Sequence, residues 1–217
     1  MKIALLTANI GDIDNTIGLP IQKTPIDFYY YHSGNLPFPL PNLNARLQSK
    51  YVKICTHRFL FGYDGFLWHD GRVEVISKFY SQIMIENLNG YDIAIFPHKE
   101  RHTIGEELQY ILDNIKMGSH YLLTRYGNQQ MEKELQFYKD NNAENLPLYH
   151  CNLFARKTGI DIHNPNDVDG CFNSWWMRSL EFTYFDQAMF SYCTQHLKIN
   201  VLDLKYRDGL CKIHKHK

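Results

Sequence analysis

Residues Ile3 to Ala8 form a short apolar run that stops at Asn9 and Gly11, and no other stretch constrains the fold as tightly. A strand apolar at successive positions has no wet face, so it belongs inside a mostly parallel sheet covered on both sides. Ligands in such sheets lie beyond the carboxyl ends of the strands.

The rest of the chain continues an α/β alternation. Asp27 to His32 reads as a second strand closed by Ser33-Gly34, and Pro37, Pro39 and Pro41 then enforce an extended surface loop. Asn44 is placed to cap a helix from Ala45 to about Cys55, which brings Arg46, Lys50 and Lys53 within one or two turns of each other. After the Asp64-Gly65 turn, Phe66-Leu67-Trp68 is a short strand and His69-Asp70-Gly71 a polar break, so Asp70 falls at a strand end before Val73 to Ile76 resumes alternation. Ser77 opens a helical stretch with Phe79, Ile83 and Leu88 as its apolar stripe and Gly90 as its stop, followed by a strand from Tyr91 to Phe96. Thr103 to Ile115 carries helical spacing, with Thr103, Glu106 and Glu107 giving an amino-terminal capping box. His120 to Asp140 also reads helical, with Gly127 a point of bending or splitting, and Leu148 to Ala155 reads as a late strand. Phe185 to Lys198 is a predicted helix and Ile199 to Leu204 a closing strand, before a basic tail of Lys212, His214, Lys215, His216 and Lys217. No repeat or low-complexity segment interrupts this order. The expectation is one α/β/α sandwich over 1–217, with 1–110 as a nucleotide-binding half and 111–217 as an acceptor-binding half.

Composition narrows the function classes. Lys+Arg and Asp+Glu number 23 each, so there is no net charge to steer polyanions and nucleic acid is not an expected partner. Five scattered cysteines (Cys55, Cys151, Cys171, Cys193, Cys211) lack the paired spacing of a zinc site or a disulfide framework and read as reduced thiols. The amino-terminal run is too short for a secretory apolar region and no stretch approaches about 20 apolar residues, so the expectation is a cytoplasmic protein without a membrane span. Glycine-rich phosphate loops, nucleophile elbows, zinc helices and kinase signatures are absent, which argues against hydrolase, metalloprotease, kinase and nucleotidyltransferase readings.

Several segments together carry a family resemblance: Arg46 with Lys50 or Lys53 before His57, then Leu67-Trp68-His69-Asp70-Gly71, then Phe96-Pro97-His98 through Arg101 to Glu106-Glu107, and finally Trp176 with Phe185-Asp186-Gln187. They resemble the glycosyltransferase-like domain, formerly a domain of unknown function, found in plants, bacteria and large algal viruses, including virus-encoded capsid-glycosylating enzymes. The resemblance covers most of the chain and implies a GT-A fold. It implies transfer of a hexosyl or deoxyhexosyl group from a nucleotide-diphosphate sugar, a UDP-sugar in the first instance, to a glycan or glycoprotein. It also implies a divalent cation, Mn2+ or Mg2+.

On that resemblance Asp70 is a metal ligand, with His150 completing the site from the far side. The pattern departs from the Asp-any-Asp motif, because the partner position is Arg72 or Trp68 depending on which aspartate Asp70 represents. Thr7, Ala8 and Asn9 fall where the base and ribose would lie, with Asp12 or Asp14 available to the ribose. As residues alone, Asp70 equally fits a turn carboxylate and His150 a hydrogen-bonded structural histidine. Arg46, Lys50 and Lys53 suit a diphosphate or a solvated basic face. His98, Arg101 and Glu106 suit sugar hydroxyls or phosphate, although Glu106 also completes the capping box. Asp186 suits a catalytic carboxylate or a helix-start residue, and Gln187 an acceptor contact. One of the adjacent Trp175 and Trp176 is expected in the core and the other, Trp176, on a sugar ring. Asp161, His163, Asp167 and Asp169 read as an acidic loop near the acceptor. The competing function class is a catalytically silent nucleotide- or carbohydrate-binding module.

Overall fold

The structure is a computed structural model that describes residues 1–14, 18–37, 39–40 and 42–215; Pro41 of the proline cluster and His216 and Lys217 of the basic tail lie outside the described residues. In chain order the strands are β1 (Ile3–Asn9), β2 (Asp27–His32), β3 (Gly65–His69), β4 (Val73–Val75), β5 (Ile93–Pro97), β6 (Tyr149–Lys157), β7 (Ile199–Val201) and β8 (Cys211–Ile213). The helices are α1 (Ala45–Ile54), α2 (Tyr80–Glu86), α3 (Ile104–Lys116), α4 (His120–Tyr126), α5 (Met131–Asp140), α6 (Val168–Glu181), α7 (Asp186–Thr194) and α8 (Leu204–Leu210).

Six strands form one sheet in the order β2-β1-β3-β6-β5-β7, and β4 pairs with β8 in a separate antiparallel ribbon. Only β6 runs against the others in the large sheet, so the sheet is mostly parallel, as β1 required. All seven residues of β1 are buried. Its alternating side chains go to opposite faces: Ala4, Leu6 and Ala8 join one core with side chains of α1 and α3 to α7, while Ile3 and Leu5 join a smaller one with Tyr80 and Met84 of α2 and Leu210 of α8. The result is the expected α/β/α sandwich with a mostly parallel central sheet.

Local signals set most of the element ends. Asn44 Oδ1 accepts the Leu47 N–H at 3.0 Å to cap α1, and Thr103 with Glu106 forms the capping box of α3. The 120–140 stretch divides into α4 and α5 around a turn that follows Gly127.

Elsewhere the structure departs from the periodic reading. The helix expected from Ser77 begins at Tyr80, and its buried stripe is Tyr80 and Met84, continued by Leu88 just past its end. Phe79 stays 37% exposed beneath the Lys23 and Lys78 ammonium groups, because the i, i+4 pairing starts one residue later than the pattern indicated. The segment around Trp175 is the long helix α6, and both tryptophans are buried, at 0% and 5% exposure. Helix α6 has neighbours on two sides: Trp175 packs against Phe154, Phe172 and Phe190, and Trp176 meets the Tyr51 ring of α1 edge-on at 5.0 Å. The acidic loop is also largely structural, since Asp167 caps α6 and Asp169 is buried against Arg156 at 2.5 Å.

One buried network determines where α7 starts. Glu134 of α5 accepts Thr183 Oγ1 at 2.6 Å and the Tyr138 hydroxyl at 3.0 Å, and Thr183 Oγ1 in turn accepts the Phe185 N–H at 3.0 Å, immediately before Asp186. Burial pushes the Glu134 carboxyl up to about 7, against the opposing effect of the two hydroxyl hydrogen bonds. A raised carboxyl stabilises the fold in its protonated form, so the contribution is complete below the ordinary glutamate value of 4.5 and is lost as pH rises through about 7. Glu134→Gln, which mimics the protonated acid, is expected to flatten the stability difference between pH 5 and pH 8. Urea unfolding at both pH values tests this, and an unchanged difference would place the titration elsewhere.

Candidate functional site

A cavity of about 290 Å³ opens where β1 and β3 end at the carboxyl edge of the sheet. Ala8, Asn9 and Ile10 form one wall, Trp68, Asp70 and Gly71 another, and α1, α4 and the start of α7 close the rest. The 9–14 loop is clamped over it, because the Asn9 amide donates to the Asp14 carbonyl at 2.8 Å and accepts the Asp14 N–H at 3.1 Å. Gly71 is required by close approach: a Cβ there would sit 2.8 Å from the Ala8 carbonyl oxygen and 3.1 Å from Asp14 Oδ2. Gly71→Ala should therefore cost about 1–3 kcal/mol in urea unfolding, and an unchanged midpoint would show that this turn yields without strain.

The floor of the cavity is an ion cluster drawn from three elements. Lys50 and Lys53, one turn apart on α1, both reach Asp186 Oδ2, at 3.0 and 2.7 Å. Lys53 also lies 3.4 Å from Asp70 Oδ1, the same oxygen that accepts Trp68 Nε1–H at 2.8 Å. Burial alone would raise the Asp186 carboxyl, but Lys50 and Lys53 hold it far below the ordinary carboxylate value. Burial would lower Lys53, yet Asp186 and then Asp70 reverse that and keep it above the usual lysine value. Lys50 goes the other way: burial and the Lys53 charge outweigh the pull of Asp186 and leave it lowered. Seen from Asp186 the Lys50 contact is strongly favourable, and seen from Lys50 it only partly offsets burial. Two ammonium groups within 3.0 Å of one oxygen fix the direction for the carboxylate, which is ionised. Asp70 is likewise lowered: burial would raise it, but Lys53, Arg72 and the Trp68 hydrogen bond together more than offset that.

Above this floor stand more cations and aromatic rings. Arg46 and Arg125 line the cavity, and the Arg125 guanidinium lies 5.3 Å from the Tyr126 ring centroid and 5.8 Å from that of Tyr121. Tyr121 is 59% exposed, and Tyr184, whose N–H donates to Gln129 Oε1 at 2.6 Å, offers another ring. Among the described lining residues, four cationic side chains therefore face the three carboxylates of Asp14, Asp70 and Asp186.

Of the candidate site residues singled out in the sequence, Ala8, Asn9, Asp14, Arg46, Lys50, Lys53, Asp70 and Asp186 line this one cavity. Thr7 is buried in β1 behind it. His98 accepts the Glu100 and Arg101 N–H groups and stacks on His150, with ring centroids 4.6 Å apart. Arg101 pairs with Glu107 and Glu100, and Glu106 accepts the His102 and Thr103 N–H groups at the start of α3. Gln187 donates to the Tyr149 carbonyl at 3.0 Å, and Trp176 packs in the core. His150 accepts the Lys99 N–H at 3.3 Å and is pushed down to about 3 by burial and by neighbouring His98, Arg207 and Arg72. Sequence reasoning missed Tyr121, Arg125, Tyr126 and Tyr184. The one available signal was the i, i+4 spacing of Tyr121 and Arg125, which puts a ring and a guanidinium on the same helix face.

A divalent cation, implied by the resemblance, fits this donor set poorly. Mg2+ in a nucleotide site is held by one or two carboxylates together with phosphates and waters, and among the described residues no three His, Cys, Asp or Glu side chains gather into a fuller site. Asp70 and Asp186 already hold lysine ammonium groups, and His150 does not line the cavity.

No family model matches the sequence, and no curated protein does. Among solved structures, the chain is similar to WbbM, a bifunctional glycosyltransferase in its apo form, with 7% identity and a TM-score of 0.49 over 94% of this chain and 39% of that one. It is similar to mouse xyloside xylosyltransferase 1 in its apo form, with 9% identity and a TM-score of 0.48 over 96% of this chain and 90% of that one. It is also similar to core-mannan synthase A of Aspergillus fumigatus in its Mn/GDP form, with 10% identity and a TM-score of 0.43 over 92% of this chain and 72% of that one. The chain thus spans well under half the length of WbbM. Among the described residues no helix is long and apolar enough to cross a membrane.

Proposed function

We propose that this chain is a glycosyltransferase that takes a hexosyl or deoxyhexosyl group from a UDP-sugar and passes it to a glycan or glycoprotein. The observation that carries the reading is the cavity at the carboxyl edge of the sheet, where Arg46, Lys50, Lys53 and Arg125 converge beside the rings of Tyr121 and Tyr184. A nucleotide-diphosphate sugar has the complementary parts: a diphosphate for the cations, and flat base and sugar faces for Tyr121 and Tyr184. The quoted sequence motifs point the same way.

In this reading an acceptor hydroxyl oxygen forms a bond to the anomeric carbon while the bond from that carbon to the β-phosphate oxygen breaks. The electron pair stays on the departing diphosphate, and the hydroxyl proton is released to water. The barrier falls when fixed positive charge meets the oxygen on which negative charge develops, which is the role of Lys50, Lys53 and Arg125. Asp186, ionised and held far below the ordinary carboxylate value, is a weak base; it fixes the two ammonium groups. Residues from both 1–110 and 111–217 line the donor cavity.

Isothermal titration with UDP, followed by assay of UDP-sugar hydrolysis, tests the reading. Arg125→Ala should weaken UDP binding about tenfold or more, as expected for a lost charge-assisted hydrogen bond. Absence of binding by UDP and by other nucleoside diphosphates would overturn the donor site. Binding with neither hydrolysis nor transfer would favour the silent-module alternative.

A further inference from the structure

We infer that the Lys53 ammonium is a built-in replacement for the divalent cation, so that this chain binds the diphosphate of its donor through fixed side-chain charge and without metal. The inference rests on the donor-site reading above, and it concerns how that site holds its ligand.

The geometry is that of a cation held between two carboxylates. Lys53 Nζ sits 2.7 Å from Asp186 Oδ2 and 3.4 Å from Asp70 Oδ1, and its side chain is 4% exposed. An ammonium buried this far is stable only when paired, and here one partner, Asp70, is the carboxylate that the resemblance gives to a metal, and the other is Asp186. The oxygens that Lys53 reaches each hold a second donor: Trp68 Nε1–H donates to Asp70 Oδ1 at 2.8 Å, and Lys50 Nζ lies 3.0 Å from Asp186 Oδ2. A dication drawn to both aspartates would be driven against the Lys53 charge at contact distance, where repulsion in a partly desolvated site is severe. Arg46 and Arg125 on the cavity wall supply the further positive charge that two phosphates require.

The test uses the intact chain with Mn2+ alone and with UDP. Manganese binding is followed by the loss of the free-ion electron paramagnetic resonance signal. Wild type is expected to show no saturable Mn2+ binding up to about millimolar concentration and the same UDP affinity in EDTA as in Mn2+. Lys53→Ala opens the two carboxylates to a metal. It should gain saturable Mn2+ binding, lose about tenfold in UDP affinity in EDTA, and recover most of it when Mn2+ is added. Lys53→Met, close in length and apolar, should lose affinity in EDTA in the same way and retain the fold. Saturable Mn2+ binding by wild type that disappears in Asp70→Asn would overturn the inference, as would UDP affinity that collapses in EDTA. The manganese titration needs no nucleotide, so a donor-site reading that fails through lack of UDP binding is distinguished from failure of the lysine assignment.

Discussion

Asp186→Ala is expected to lower unfolding free energy by about 3–5 kcal/mol, the usual cost of removing one partner from a buried ion pair. The effect is large because one oxygen serves two buried ammonium groups, Lys50 at 3.0 Å and Lys53 at 2.7 Å. Without it Lys53 keeps only the longer contact to Asp70. Urea unfolding at pH 7 measures the loss. Combining Asp186→Leu with Lys50→Met and Lys53→Met should recover much of it, since an apolar cluster can replace a buried ionic one without net cost. The recovered protein should still fail to bind UDP. The pH dependence has a definite sign: a depressed carboxyl contributes stability that is complete above its ordinary value of 3.8 and is lost as pH falls through the lowered folded value. Asp186→Ala should therefore be destabilised at pH 7 and should differ least from wild type in strong acid. A change below about 1 kcal/mol at pH 7 would mean that water, rather than Asp186, satisfies the lysines.

Arg156→Ala should cost a similar amount, about 3–5 kcal/mol, far from the cavity. Arg156 is fully buried in β6, donates to Asp169 of α6 at 2.5 Å, and lies 4.3 and 4.9 Å from the ring centroids of Phe172 and Phe66. Truncation strands a buried carboxylate and empties a large volume at once. Arg156→Met with Asp169→Asn keeps most of the volume and removes both charges, so it should be less harmful than Arg156→Ala alone. The midpoints of the two variants in urea decide the matter, and equal losses would show that packing alone sets the cost. UDP affinity in the folded fraction should be unchanged in both.

These two sites show what the sequence made legible. Lys50 and Lys53 sit one turn apart on a helix with a recognisable cap, Asp70 follows an apolar strand, and Asp186 opens a helix, so each was visible from local pattern. Their meeting was not visible, because the Lys53–Asp186 bond spans 133 positions and no local rule carries that far. Arg125 escaped for the same reason, since its neighbours across the cavity belong to α1 and α7. Some of the reactive groups singled out also have a structural use in the fold. His98 and Glu106 organise the turn into α3, and Asp167 and Asp169 begin α6 and anchor it. The strands were easier, because the alternation of β1 between two cores is written in consecutive residues.

The long reach of the Lys53–Asp186 bond bears on how the protein is made. A chain emerging from the ribosome presents α1 long before α7 exists, and until α7 docks Lys50 lacks its carboxylate partner and Lys53 has only Asp70. Closing so long a segment is entropically costly and comes late, so ligand affinity should arise in one step as α7 docks. Nucleotide captured by nascent chains of increasing length would then act as a clock for the completion of folding.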